Sequence, residues 1–272
     1  MDIINSPVFT LIIEEGGRWK EEREMIIRQI LATLLTVGCL TATAQEKRVQ
    51  NKPYIDLRPL HLGIHVGLNL QDIELENVGP QLITLEDGTT ETKTIVCDDD
   101  KWNAGFSVGV LADLRLSQHL NLRFTPTMHF GAKHLTFYNM TDLTPEGRLL
   151  ETTQDMKSTY LAFPVGLKFS AERWNNYRPY VIAGVSQLVN LTSKNQDYLQ
   201  LKRSDTMLEI GLGCDLYLPF FKLIPELKFC YSLTNALDAG HVNELQDANK
   251  RMYANAVRSG QTKMFVLTFY FE

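Results

Sequence analysis

No stretch of about 18 uncharged apolar residues occurs in this 272-residue chain, although 44% of it is hydrophobic, so it has no segment fit to cross a membrane as a helix. Cysteine is scarce, and its four copies show no paired spacing, which rules out a disulfide framework. There is no glycine-rich phosphate loop and no low-complexity tract. There is no basic excess either: the net charge of −5 argues against a nucleic-acid partner. A membrane barrel survives all of these absences, because its signal is spread over many short alternating strands.

Alternation is what the chain has most of. Across residues 208–233, Leu208, Ile210, Leu212, Leu216 and Leu218 alternate with Glu209, Gly211, Gly213, Asp215 and Tyr217. After Pro219-Phe220-Phe221 the phase switches, and Leu223, Leu227, Phe229 and Tyr231 alternate with Glu226, Lys228, Cys230 and Ser232. Period two on both sides of a tight turn predicts an antiparallel hairpin with one apolar and one polar face. Strands of about eleven residues exceed the usual soluble length and suit a tilted bilayer crossing. The same unit recurs at residues 60–70, 103–116, 120–130, 158–170, 177–191 and 263–271.

The expectation is an all-β fold: an eight-stranded antiparallel up-and-down transmembrane β-barrel over residues 60–272. Long connections are read at 71–101, 131–157, 192–205 and 235–261, and short turns at 117–119, 171–176 and 219–221. That rhythm places short turns in the periplasm and long loops outside. Aromatic belts are read from Trp174, Tyr177, Phe220, Phe221, Tyr270 and Phe271 at one end, and from Trp102, Phe137, Tyr138 and Tyr160 near the other. Pro126, Pro164 and Pro225 interrupt predicted strands of a sheet with no free edge, and Pro126 in particular calls for a bulge. A soluble lipocalin-like barrel, with the apolar face inward, is the structural alternative.

Upstream, residues 25–44 read as a secretory signal: Arg28, an apolar run, then Ala42-Thr43-Ala44. Residues 1–24 suit neither a signal nor a domain. They are expected to be a mis-assigned leader ahead of a true start at Met25, or part of an unusually long one. Residues 45–59 form a periplasmic lead-in, in which Tyr54, Asp56 and Arg58 are candidate partner contacts; the alternative is a solvated tail.

The polar strand face carries Asp113, Arg115, Arg123, Lys168, Glu209, Asp215, Glu226 and Lys228. Because eight strands leave a lumen about filled by side chains, these eight residues are expected to pair across it as a structural charge network. Other chemistry is thin. His61 and His65 lie about 13 Å apart by strand rise, too far to share a metal. Asp98-Asp99-Asp100 offers carboxylates for calcium, but also reads as a solvated acidic loop. Ser107 with some histidine is the one vague nucleophile for a lipid-modifying enzyme. The expectation is no enzyme, no catalytic residue, no metal and no cofactor, with outer-membrane lipid as the surroundings.

Four segments resemble the PorT family (SprT in gliding bacteria), outer-membrane barrels of Bacteroidetes. They are residues 52–73 (KPYIDLRPLHLGIHVGLNLQDI), 113–131 (DLRLSQHLNLRFTPTMHFG), 158–185 (with YRPY at 177–180) and 208–233 (with LPFFKLIPELKF at 218–229). The resemblance implies an integral outer-membrane protein exported by its signal peptide and associated with type IX secretion, with other secretion-system proteins as partners and no catalytic residues. A barrel this narrow cannot pass a folded protein, so the implied role is that of an accessory. A structural or adhesin-like barrel is the alternative, and a lipid-modifying enzyme the lesser one.

Overall fold

The computed structural model describes residues 49–84, 90–99, 102–143, 148–192, 198–238, 240–245 and 248–272. The predicted leader and signal peptide lie outside them. The chain divides into a unit of residues 1–49, of which only Val49 is described, and a unit of residues 50–272, to which everything below refers.

Among the described residues eleven strands form one sheet: β1 (Leu60–Asn77), β2 (Gly79–Thr84), β3 (Thr90–Asp99), β4 (Asn103–Arg115), β5 (Leu120–Phe124), β6 (Thr127–Leu143), β7 (Leu149–Ser170), β8 (Tyr177–Asn190), β9 (Ser204–Tyr217), β10 (Lys222–Ser232) and β11 (Val257–Phe271). β1 pairs with both β11 and β4, and β7 with β8, β5 and β6, so the sheet closes on itself. The ring runs β1-β4-(β5/β6)-β7-β8-β9-β10-β11. It has eight strands once β5 and β6 are counted as one wall, and every pairing is antiparallel.

Pro126 sits in the gap between β5 and β6, but without a bulge. The register is the same on either side, with Ala112 opposite Phe124 before the gap and Gly109 opposite Thr127 after it. The Val110 N–H still donates to the Pro126 carbonyl at 3.1 Å, so the missing proline donor breaks the ladder and leaves the strand's path intact. Pro225 opens a similar gap between β9 and β10, again without changing register.

The wall is longer than the sequence pattern led us to expect. Residues 71–77, 131–143 and 149–157, read above as loop, continue β1, β6 and β7, while β2 and β3 form a hairpin whose second strand pairs with β6. The barrel therefore has two storeys of opposite polarity. In the first, apolar side chains face out: Leu62 is 65% and Leu212 64% exposed, while His65, Asn69 and Gln71 are buried. On β1 this outward apolar row spans residues 60–70, roughly 34 Å along the strand. Tilted as barrel strands are, that becomes an apolar band of about 25 Å, the height found on outer-membrane barrels. Beyond it the two faces exchange character. Outward positions become Asp72, Glu74 and Glu76, and the inward position Ile73 joins an apolar cluster with Ile95, Leu135, Phe137, Met156, Leu188, Met207 and Met264. The outward switch on β11 falls between Phe265 and Lys263, where Lys263 lies opposite Asp72. The apolar-out first storey excludes the lipocalin-like alternative.

Short turns gather at one end, together with the start of β1 and the end of β11. The described part of the connection between β10 and β11, at the other end, carries two short helices, α1 (His241–Glu244) and α2 (Ala248–Ala254). No helix of the described residues is long and apolar enough to cross a membrane.

Candidate functional site: a filled lumen closed at both ends

Alternation turns one side chain in two inward, and in an eight-stranded ring those side chains meet. Arg123 of β5, 1% exposed, is the hub. Its Nη2 donates to Asp113 Oδ2 at 2.8 Å and its Nη1 to Glu226 Oε2 at 2.7 Å. Glu226 also accepts the hydroxyls of Tyr180 at 2.6 Å and Tyr270 at 2.7 Å, and the guanidinium lies about 5 Å from both rings. Lys168 donates to both oxygens of Asp215 at 2.8 Å and stands 3.9 Å from Asp113. Lys228 meets Glu209 at 3.3 Å and Glu226 at 3.7 Å. Buried charges are tolerable only when paired and hydrogen-bonded, and here three cations face four carboxylates. A void of about 10 Å³ beside Arg123, Glu209 and Lys228 has room for one water. Glycine supplies the rest of the space: a Cβ on Gly213 would lie 2.3 Å from the Tyr180 hydroxyl.

Seven of the eight residues predicted for the charge network meet in this way. Arg115 does not. It shares a face with Asp113, but it ends β4, and its side chain turns to the carbonyls of Ser117 and Leu57 at the rim. Tyr180 and Tyr270 are the members that sequence reasoning missed: aromatic residues on a nominally polar face look like belt or core, and nothing local marks them as donors to a carboxylate.

Toward the second storey the filling becomes neutral. Ser158 donates to Gln71 at 2.5 Å, Gln71 to Asn69 at 2.9 Å and Asn69 to Ser107 at 2.8 Å, and Ser107 Oγ lies 2.7 Å from His129 Nδ1. The predicted serine and a histidine are thus neighbours, and both are buried on the inward face. His61 and His65 have separate partners, Glu272 and Thr127. Among the described residues no three His, Cys, Asp or Glu side chains are grouped to hold a metal; Asp100 of the acidic triplet lies outside them. Cys97 and Cys230 are buried and free, and Cys214 is free on the outward face.

Both ends are covered. At the long-loop end, Tyr198 and Tyr253 pack on Phe137 with ring centroids 5.2–5.6 Å apart, and the inward Gln154 clamps the Leu199 backbone through two bonds of 2.9 and 3.0 Å. At the short-turn end the lead-in is no solvated tail. Before entering β1 it runs past the turn between β7 and β8, which are three and four strands from β1 around the ring and so on the opposite side. Asn51 bonds Asn176 and the Tyr217 carbonyl, each at 2.9 Å. Arg173 donates to the carbonyls of Asn51 and Lys52 and stacks 3.6 Å above the Tyr217 ring. Ile55 is buried. Asp56, predicted as a partner contact, instead accepts the Tyr217 hydroxyl at 2.7 Å and lies 3.7–3.8 Å from Arg178 and Arg173. Tyr54 and Arg58 remain exposed.

A family model described as an outer membrane protein beta-barrel domain matches residues 43–238. Among solved structures, the chain is similar to Neisserial surface protein A (9% identity, TM-score 0.37, covering 78% of this chain and 98% of that one). It is also similar to OprG of Pseudomonas aeruginosa (13%, 0.40, 77% and 93%) and to Ail, the attachment invasion locus protein of Yersinia pestis (13%, 0.31, 77% and 96%). Comparison with curated proteins gives no match. The family match spans most of the chain, and the protein belongs to the outer membrane protein beta-barrel domain family.

Proposed function

We propose that this outer-membrane barrel is a PorT-like accessory component of protein secretion by the type IX system, acting through contacts at its ends and not as the conduit. One observation carries the non-conduit part: Arg123 and Glu226 lie on opposite walls and bond across the lumen at 2.7 Å. An interior crossed by side-chain bonds has no path for a polypeptide, so the work falls to the surfaces. The secretion role rests on the PorT-like wording of four strand segments. No catalysis is assigned; Ser107 and His129 are both buried.

Deleting the gene in a host with type IX secretion is expected to leave cargo in the periplasm, and secretion components are expected to co-purify with the protein from solubilised outer membrane. Normal export by the deletion strain would overturn the secretion role. The second reading, a structural or adhesin-like barrel, draws on the second storey, whose wall extends past the apolar band and ends in the β2–β3 hairpin. Loss of surface attachment with normal export would favour it.

A further inference from the structure

The lead-in crosses the short-turn mouth as an amphipathic strap. Its inner side is anchored by Ile55 and by the Asp56 carboxylate, which Tyr217, Arg173 and Arg178 surround. Its outer side presents Tyr54, 77% exposed, and Leu57, 61% exposed. Trp174 and Phe220, also exposed, lie in the short turns at the same end. The cations around Tyr54 and Leu57 are poorly matched. Arg58 is exposed, and neither it nor Lys52 has a carboxylate partner among the described residues, while Arg115 meets only carbonyl oxygens. Of the carboxylates nearby, Asp56 is engaged within the strap's anchor and Glu272 with Lys222 at 2.5 Å and with His61, while Glu172 in the β7–β8 turn is exposed.

We propose that this outer side, made of Lys52, Tyr54, Leu57, Arg58 and Arg115, is a docking surface for an acidic segment of a periplasmic protein. Two exposed apolar groups amid unmatched cations suit a partner that brings carboxylates around an apolar side chain. The strap is held by several partly buried bonds on its inner side, so the surface is already ordered before a partner arrives. The inference deepens the accessory reading and rests on it for the existence of a partner, but its test is separate from export.

The test places a photo-crosslinking amino acid at Tyr54 in the full-length protein in its own outer membrane, with the same group at Leu212, on the outward apolar face of the first storey, as a lipid-facing control. The expected result is a cross-link from Tyr54 to a periplasmic protein, at a peptide rich in Asp and Glu. Its yield is expected to fall about tenfold or more in Lys52→Glu/Arg58→Glu, because reversed rim charges oppose encounter, and to persist in Lys52→Arg/Arg58→Lys. Leu212 is expected to cross-link lipid. Heat-dependent gel mobility checks that each variant is a folded barrel. Cross-links from Tyr54 to lipid only, to this chain only, or to a protein peptide unaffected by charge reversal would each overturn the proposal, as would no cross-link from a folded barrel. An export defect on gene deletion without a charge-dependent Tyr54 cross-link would retain the secretion role and remove this surface from it.

Discussion

Arg123 Nη1 and Glu226 Oε2 are 2.7 Å apart, and their strands, β5 and β10, are separated by four steps in either direction around the ring. A bond between diametrically opposed walls is possible only if the lumen is about as wide as two side chains, as an eight-stranded barrel requires. Tyr180 and Tyr270 complete the Glu226 shell, so the contact satisfies its own buried charges.

Breaking this contact from one side is expected to cost stability. Arg123→Met leaves Asp113 and Glu226 buried without their main cation, a change worth about 3–5 kcal/mol. Glu226→Gln keeps an acceptor for one of the two tyrosine hydroxyls and leaves the remaining lumen charges balanced, so it is expected to cost less. The temperature at which the folded band converts to the unfolded one on gels should fall strongly for Arg123→Met and modestly for Glu226→Gln. An unchanged transition for Arg123→Met would mean that the network is not structural.

Lysine substitutions should read the two polarities of the wall. Leu212→Lys or Leu227→Lys on the lipid face is expected to cost about 2–4 kcal/mol near the bilayer midplane, while Glu74→Lys on the outward face of the second storey should assemble normally. Gly213→Lys should also fail, through collision with Tyr180. Assembly yield and extraction by detergent report on all four. Full tolerance of Leu212→Lys in a protein soluble without detergent would contradict the membrane placement.

Much of this arrangement was legible in the sequence, because period-two alternation names both faces of a strand. The second storey was missed even though its alternation is unbroken. Ile73 and Leu75 continue to alternate with Asp72, Glu74 and Glu76, but the apolar residues have moved from the outward to the inward set. A rule that tracks apolar residues in one phase reads that exchange as a loop. The place of Arg115 at the rim and of Asp56 in the strap's anchor was hidden for another reason. Face and charge follow from sequence position, whereas the distance of a residue from the strand end and the path of a lead-in across a ring are set by tertiary closure.

The orientation is open to labelling. Cysteines replacing Leu82 or Glu151 should react with an impermeant thiol reagent on intact cells, and those replacing Gln118 or Asn175 should react only after the outer membrane is permeabilised. The native cysteines give little background, since Cys97 and Cys230 are buried and Cys214 sits on the lipid-facing wall. The reverse pattern would invert the barrel.

The second storey should respond to pH through Lys93 and Asp142, 2.7 Å apart and beyond the apolar band. Their hydrogen bond holds the Asp142 carboxyl below its usual value and the Lys93 ammonium above its own. A depressed carboxyl contributes fully above its unfolded pKa and loses that contribution as pH falls through the folded one. A raised lysine contributes fully below its unfolded pKa and loses it as pH rises through the folded one. Between about pH 4 and pH 10 the pair should be intact. Asp142 is partly exposed, so the effect should stay below about 1 kcal/mol. Once intrinsic exchange rates are taken into account, hydrogen-exchange protection of β3 should be level near neutrality and decline at the acid end. Asp142→Asn should remove that decline.

The most direct test of a closed barrel is electrical. Purified wild-type protein reconstituted in planar bilayers should show no stable conductance beyond small, occasional leak, because the Arg123–Glu226 contact crosses the lumen and both mouths are covered. A large, steady, ion-selective conductance from the same preparation would contradict the filled lumen and make the protein a pore.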